Sequence, residues 1–142
     1  KGTDIMYPVL KEIQKKYPDQ CRITEAIDAP YAIYQKLMDD ADVQLDQLYS
    51  YTPSMNSLLA MAKGVIVLGG GEEENYEIIN EKELRPIINV YPSEEDIFQK
   101  LEYIVLNKER IPELSAQSIE YVRKHHNYVK VAQQYVDFWE AH

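Results

Sequence analysis

Residues 52–68 read Thr-Pro-Ser-Met-Asn-Ser-Leu-Leu-Ala-Met-Ala-Lys-Gly-Val-Ile-Val-Leu, and their reading decides the fold. Thr52 is placed to cap a helix, and Pro53 stands at the first helical position, where its missing N–H costs nothing. The predicted helix runs over Pro53–Lys63, and Gly64 closes it at the position that favours a left-handed residue. Val65–Leu68 follows as an unbroken β-branched and apolar run. A strand covered on both faces needs that composition, and such strands belong to parallel sheets. A helix feeding a doubly buried strand is half of a βαβ unit, so the class is α/β.

The same alternation extends outward. Upstream, Val43–Leu48 (VQLDQL) reads as a strand. Pro30 opens a helix carrying Ile33, Leu37 and Met38, with Asp39–Asp42 as its polar exit. Cys21–Ile27 reads as a short strand. Asp4–Tyr17 has helical spacing, with Ile5, Val9, Leu10 and Ile13 on one face and Lys11, Lys15 and Lys16 on the other. Pro8 fits a first turn better than an interior, so the secure helix is expected to begin there. Downstream, Pro86–Val90 reads as a strand. Ser93 caps a helix to about Asn107, with Asp96 in a box-like position and Ile97, Leu101, Ile104 and Val105 inward. Helices over Pro112–His125 and Tyr128–Glu140 complete the chain. A doubly wound sheet ordinarily opens on a strand, so one is expected upstream of Lys1.

The 142 residues suit one Rossmann-like domain spanning 1–142. No apolar run approaches the about 18 residues of a membrane span, and Lys1-Gly2-Thr3-Asp4 does not resemble a signal peptide. The net charge of −9 excludes general nucleic-acid binding, which needs a basic face. An anionic ligand must therefore be held locally. Cys21, the lone cysteine, has no internal partner and suits a reducing, cytoplasmic compartment. His125 and His126 are adjacent, so their rings diverge on a helix, and no further histidine or cysteine spacing supports a metal.

Ligands of open α/β sheets bind beyond the carboxyl ends of the strands. The VQLDQL strand delivers Asp46 and Gln47 to that edge. Tyr49-Ser50-Tyr51 then leads into a helix whose unpaired N–H groups lie near Ser54, Met55 and Asn56, a ready anion site. Asp46 and Gln47 serve equally well as acceptors for loop amides. Gly69-Gly70-Gly71 lacks the Lys-Ser/Thr of a phosphate loop and precedes Glu72-Glu73-Glu74, so it reads as a mobile surface loop entering a solvated turn.

Three segments carry a family resemblance. Lys1-Gly2-Thr3-Asp4-Ile5 resembles a "KGxD" helix start, Ala41–Leu48 an "aDvxvDQL" strand, and Ser57–Val67 an "alEAMAxGkPVi" helix and strand. In this order they resemble the second, donor-binding domain of GT-B glycosyltransferases of the group-1, or family-4, type. The resemblance covers nearly the whole chain. It implies retaining transfer of a sugar from a nucleotide-diphosphate sugar to a glycan or lipid-linked acceptor, as in polysaccharide biosynthesis, with neither metal nor cofactor. It also implies a donor site built from Lys1, Asp46, Gln47, Ser50, Tyr51, Thr52, Ser54, Met55 and Asn56, with the diphosphate at the helix start and Lys1 beside it. The catalytic residues are not identified.

The partners implied are the nucleotide sugar and an N-terminal domain of the same enzyme, without which the chain should be inactive. Peripheral membrane association of the full-length enzyme is compatible with such acceptors. In the resembling enzymes the last helix packs on the N-terminal domain. The apolar stripes Val129, Ala132, Val136, Trp139 and Tyr128, Val131, Tyr135, Phe138 are therefore expected to be exposed or covered by a second copy in a homodimer.

One departure stands out. Two glutamates of the family, eight residues apart, fall at Tyr51 and Leu59, and the glycines between them become Thr52, Pro53 and Ser54. Leucine accepts no hydrogen bond from a ribose hydroxyl. Either the donor is read by other groups, or this is a degenerate domain kept for protein interaction. A receiver-like signalling domain with Asp46 as phosphoacceptor is the remaining alternative, but no lysine follows Ile87–Val90.

Overall fold

β2 (Ile66–Gly69) is buried along its whole length and has a parallel neighbour on each side. The computed structural model describes residues 1–141. On one side β2 pairs with β1 (Val43–Leu45), in register Val43 to Ile66 and Leu45 to Leu68. On the other it pairs with β3 (Ile88–Asn89), with Leu68 opposite Ile88. Side chains alternate across a strand, so this one strand builds two cores. Ile66 and Leu68 join Met6, Val9, Ile13, Ile97, Leu101 and Ile104. Val65 and Val67 join Met38, Ala60, Met61, Tyr76 and Tyr121 on the opposite face.

The helices are therefore sorted by face. α1 (Thr3–Lys16) and α5 (Glu94–Leu106) pack together on the first. α2 (Tyr31–Asp39), α3 (Met55–Ala62), α4 (Glu73–Ile78) and α6 (Ile111–His125) cover the second, the last reached through a single turn at Lys108–Arg110. α7 (Tyr128–Glu140) follows with Asn127 as its cap and has no buried residue. Phe138 and Trp139 are exposed, Trp139 at 70%, as the apolar stripes led one to expect. The result is a Rossmann-like α/β/α arrangement around a small parallel sheet.

Several elements depart from the expected bounds. Cys21–Ile27 is irregular, and Ile27 is 74% exposed. A strand needs a ladder partner, and among the described residues none lies beside this segment; instead the Cys21 N–H returns to the Tyr17 carbonyl. The Val43 strand stops at Leu45. The Asp46 N–H still reaches the Leu68 carbonyl, but the Leu48 N–H turns to Lys1. Ile33 is exposed rather than buried.

α1 does not wait for Pro8. Gly2 adopts a left-handed conformation (φ 87) and its carbonyl accepts both the Ile5 and Met6 N–H groups. The helix then buries Met6, Val9 and Ile13, which outweighs the hydrogen bond that proline removes. α4 lies where a solvated acidic turn was expected. Glu73 and Glu74 occupy its first turn, where carboxylates favour the helix dipole.

Candidate functional site

β1, β2 and β3 run parallel, so Asp46, Gly70 and Val90 leave the sheet at one edge. α3 begins there, two residues later than Pro53. Its N-cap is Ser54, whose Oγ accepts the Ser57 N–H at 3.1 Å. Thr52 does not cap; its carbonyl receives the Ser50 hydroxyl at 2.7 Å. Sequence reads Thr52 as the cap, but Asp46 selects Ser54 instead. One Asp46 oxygen accepts the Ser54 N–H at 3.2 Å and the other the Ser54 hydroxyl at 3.1 Å. Asp46 is 9% exposed and this engagement covers its burial. A carboxylate held at both oxygens is unlike the open phosphoacceptor of a receiver domain.

Asp46 thus sits at the positive end of α3, where an incoming anion would also bind. The Met55 and Asn56 N–H groups, at the first two helical positions, have no intrahelical acceptor. The Asn56 side chain accepts the Tyr34 hydroxyl at 2.6 Å, tying α2 to this helix start. Lys1 is at the same edge. Its carbonyl accepts the Leu48 N–H at 3.0 Å, and a Cβ on Gly2 would come within 2.6 Å of Leu48. The Lys1-Gly2 pair is therefore locked to the end of β1 by its backbone. Gln47 is half-buried beside Asp46. Every expected site residue thus lies on one contiguous stretch of the sheet edge.

The glycine run is not a mobile surface loop. Gly69 and Gly70 are buried, and a Cβ on Gly70 would lie 2.2 Å from the Ser50 carbonyl oxygen. The Glu72 N–H donates to the Tyr51 carbonyl at 3.3 Å and the Gly71 N–H to Asn89 Oδ1 at 3.1 Å. Two loops from neighbouring strands are therefore pressed together backbone to backbone. Beside them opens a shallow cleft of about 340 Å³, lined by Leu48, Tyr49, Ser50, Tyr51, Glu72 and Tyr91 among others, with no cation in its wall among the described residues.

Glu72, Asn89 and Tyr91 were not among the residues singled out from sequence. The rule that singled out Asp46 extends to them, because Asn89 ends β3 and Glu72 and Tyr91 lie in the loops after β2 and β3.

A second charged group serves structure. The Glu81 side chain is almost wholly buried and accepts from Lys124 Nζ (2.7 Å), from the amides of Glu83 and Leu84, and pairs with His125. The Lys124 bond, then His125, hold its carboxyl far below the usual range. Nearby, Arg85 grips Glu73 through two nitrogens and covers the Tyr76 ring. Burial pushes the Tyr76 phenol up to about 12. Glu81 ties the segment after α4 to the end of α6, and Arg85 ties the start of α4 to the approach to β3. Among the described residues, no three histidine, cysteine or acidic side chains group as metal ligands would.

Comparison with family models gives a match over residues 7–137 to a family described as glycosyl transferase-like. No curated protein and no solved structure matches the chain.

Proposed function

The chain belongs to the glycosyl transferase-like family, and from that membership we propose that it binds the nucleotide-diphosphate sugar of a retaining glycosyl transfer. The observation that carries this reading is the start of α3 at the carboxyl edge of a parallel sheet, with the Lys1 backbone fixed alongside. In such a transfer the bond between the sugar and the diphosphate breaks, and negative charge grows on the departing phosphate oxygens. The Met55 and Asn56 N–H groups and the Lys1 ammonium are the donors suited to that charge. Asp46 acts as a positioning residue: it fixes Ser54, and through Ser54 the direction of the first turn. Ser50, Tyr51, Thr52 and Gln47 shape the approach.

The acceptor, a glycan or lipid-linked sugar, enters from a second domain of the same enzyme, so the chain alone should bind donor without turning it over. We place that enzyme in the cytoplasm, peripheral to the membrane that carries such acceptors. Among the described residues no helix is long and apolar enough to cross a membrane.

Amide NMR during titration with uridine and guanosine diphosphates tests the donor site. Shifts at Ser54, Met55, Asn56 and Ser50 are expected. Shifts confined to α6 and α7, with those four silent, reject it. No response to any nucleotide favours the rival reading, a degenerate domain kept for protein interaction, which the Asp46 carboxylate on the helix start also suits.

A further inference from the structure

Leu59 cannot receive a ribose hydroxyl, and its partly buried side chain packs against the core of the second face. A carboxylate is nevertheless present at the same edge. Glu72 is the N-cap residue of α4, yet its side chain makes no capping bond. That carboxylate has no hydrogen-bond or ion-pair partner among the described residues, although the side chain of Glu73, its neighbour, is held by Arg85. The Glu72 backbone is tied to Tyr51 and its side chain lines the cleft. Tyr51 is 72% exposed, and Tyr49 and Tyr91 are exposed beside it. Tyr91 is held in place: its backbone N–H donates to Asp96 at 2.8 Å, Lys100 donates to the same carboxylate at 2.7 Å, and that ammonium lies 5.1 Å from the Tyr91 ring centroid.

We propose that this cleft takes the hydroxylated ring of a ribose or hexose, stacked on tyrosine, with two adjacent hydroxyls donating to Glu72. The chemistry favours a neutral polyol over a phosphate. Among the described residues the cleft lining has the Glu72 carboxylate, which repels anions, and no cation, the Lys100 ammonium near Tyr91 being engaged by Asp96. A carboxylate accepts two hydroxyl hydrogen bonds at once. Tyrosine faces and edges suit the C–H surface of a sugar ring. The proposal rests on the donor reading above and deepens it. The ring recognition that the family's glutamate would supply from α3 is supplied here from the loop after β2.

The test uses calorimetry on the wild-type chain and on Glu72→Gln, Tyr51→Ala and Tyr91→Ala. The ligands are pyrophosphate, uridine diphosphate, its 2′-deoxy counterpart and uridine-diphosphate hexoses. Glu72→Gln should leave pyrophosphate binding unchanged and weaken the diol-bearing ligands about tenfold. If the ribose occupies the cleft, the gap between ribo and deoxy ligands collapses in Glu72→Gln. If the hexose does, the gap between the diphosphate and its sugar collapses instead. Both gaps surviving in Glu72→Gln and Tyr51→Ala, with pyrophosphate still bound, overturns the cleft while the donor site stands. Free ribose and methyl hexosides, followed by tyrosine-ring NMR, separate the two failures. Rings that respond to sugar when no nucleotide binds keep the cleft and sink the donor reading; no response to either sinks both.

Discussion

Replacing Gly70 by alanine tests the packing on which the whole edge depends. The added Cβ would lie 2.2 Å from the Ser50 carbonyl oxygen and 2.9 Å from both the Ser50 carbonyl carbon and the Thr52 oxygen. Comfortable non-bonded contact is about 3.5 Å, so the two loops must part by roughly 1 Å. All three obstacles are backbone atoms, so no rotamer change relieves the overlap. Separation weakens the Glu72 N–H bond to Tyr51, already 3.3 Å long, and strains the Gly71 bond to Asn89. Overpacking costs about 1–3 kcal/mol and a weakened hydrogen bond about 1. The expected loss is about 2–4 kcal/mol, or roughly 6–12 °C in melting temperature for a chain of this size. Differential scanning calorimetry measures it, and amide NMR localises it, with shifts at residues 50–52, 69–72 and 89. Sugar and nucleotide affinity should fall together as the cleft widens. A variant that melts with the wild type and leaves those amides in place would refute the claimed contact.

Asp46→Asn removes the negative charge from the α3 start while keeping its shape. Nucleoside diphosphate affinity should rise about two- to fivefold, the scale of a helix-end charge, and calorimetry showing a fall instead would mean that Asp46 touches the ligand directly. Glu81→Gln should cost about 2 kcal/mol in urea unfolding at neutral pH through lost charged hydrogen bonds. The fold lowers the Glu81 pKa, chiefly through Lys124. Its contribution is therefore complete above the unfolded value of about 4.3 and drains away as pH falls below it. The gap between wild type and variant should hold from pH 7 to about 5 and shrink in more acid solution; a gap constant to pH 3 contradicts the assignment. Pro8→Ala should stabilise the chain by about 1 kcal/mol, since it restores an N–H inside α1 and only partly loses proline's restriction of the unfolded state; unchanged urea midpoints would show that the α1 backbone has already adapted.

How much of this could be read from residues alone follows from how local each cause is. Ser93 over α5 and the apolar run before Gly69 act within a turn or a strand, and the structure has them where the sequence puts them. The parallel class follows as directly, because Val65–Leu68 has no polar face. The errors involve distant partners. Thr52 reads as the cap before Pro53, but Asp46, eight residues before Ser54, bonds Ser54 and moves the cap there. Cys21–Ile27 has strand composition but no neighbour to pair with among the described residues. The glycine run looks mobile until the Ser50 carbonyl is seen against Gly70. Glu72 was set aside with Glu73 and Glu74 as one acidic turn, although only one of the three faces the cleft.

On the proposed reading, the site has to hold an anionic donor on a chain of net charge −9. Among the described residues no cation lines the cleft, and the strongest partial positive charge at the edge, the start of α3, already carries Asp46. Two free amides and one lysine give little affinity for a diphosphate, and the surrounding field opposes it. Discrimination on this chain must then come from contacts to neutral groups of the ligand: tyrosine surfaces and a carboxylate that accepts hydroxyls. Those contacts distinguish a nucleotide sugar from free phosphate, which is far more abundant chemistry for a helix start to meet. They are also indifferent to salt, unlike phosphate contacts. An occupied helix start therefore does not argue against donor binding. It shifts the burden of recognition from the diphosphate to the rings on either side of it, and the sheet edge carries the side chains for that division of labour.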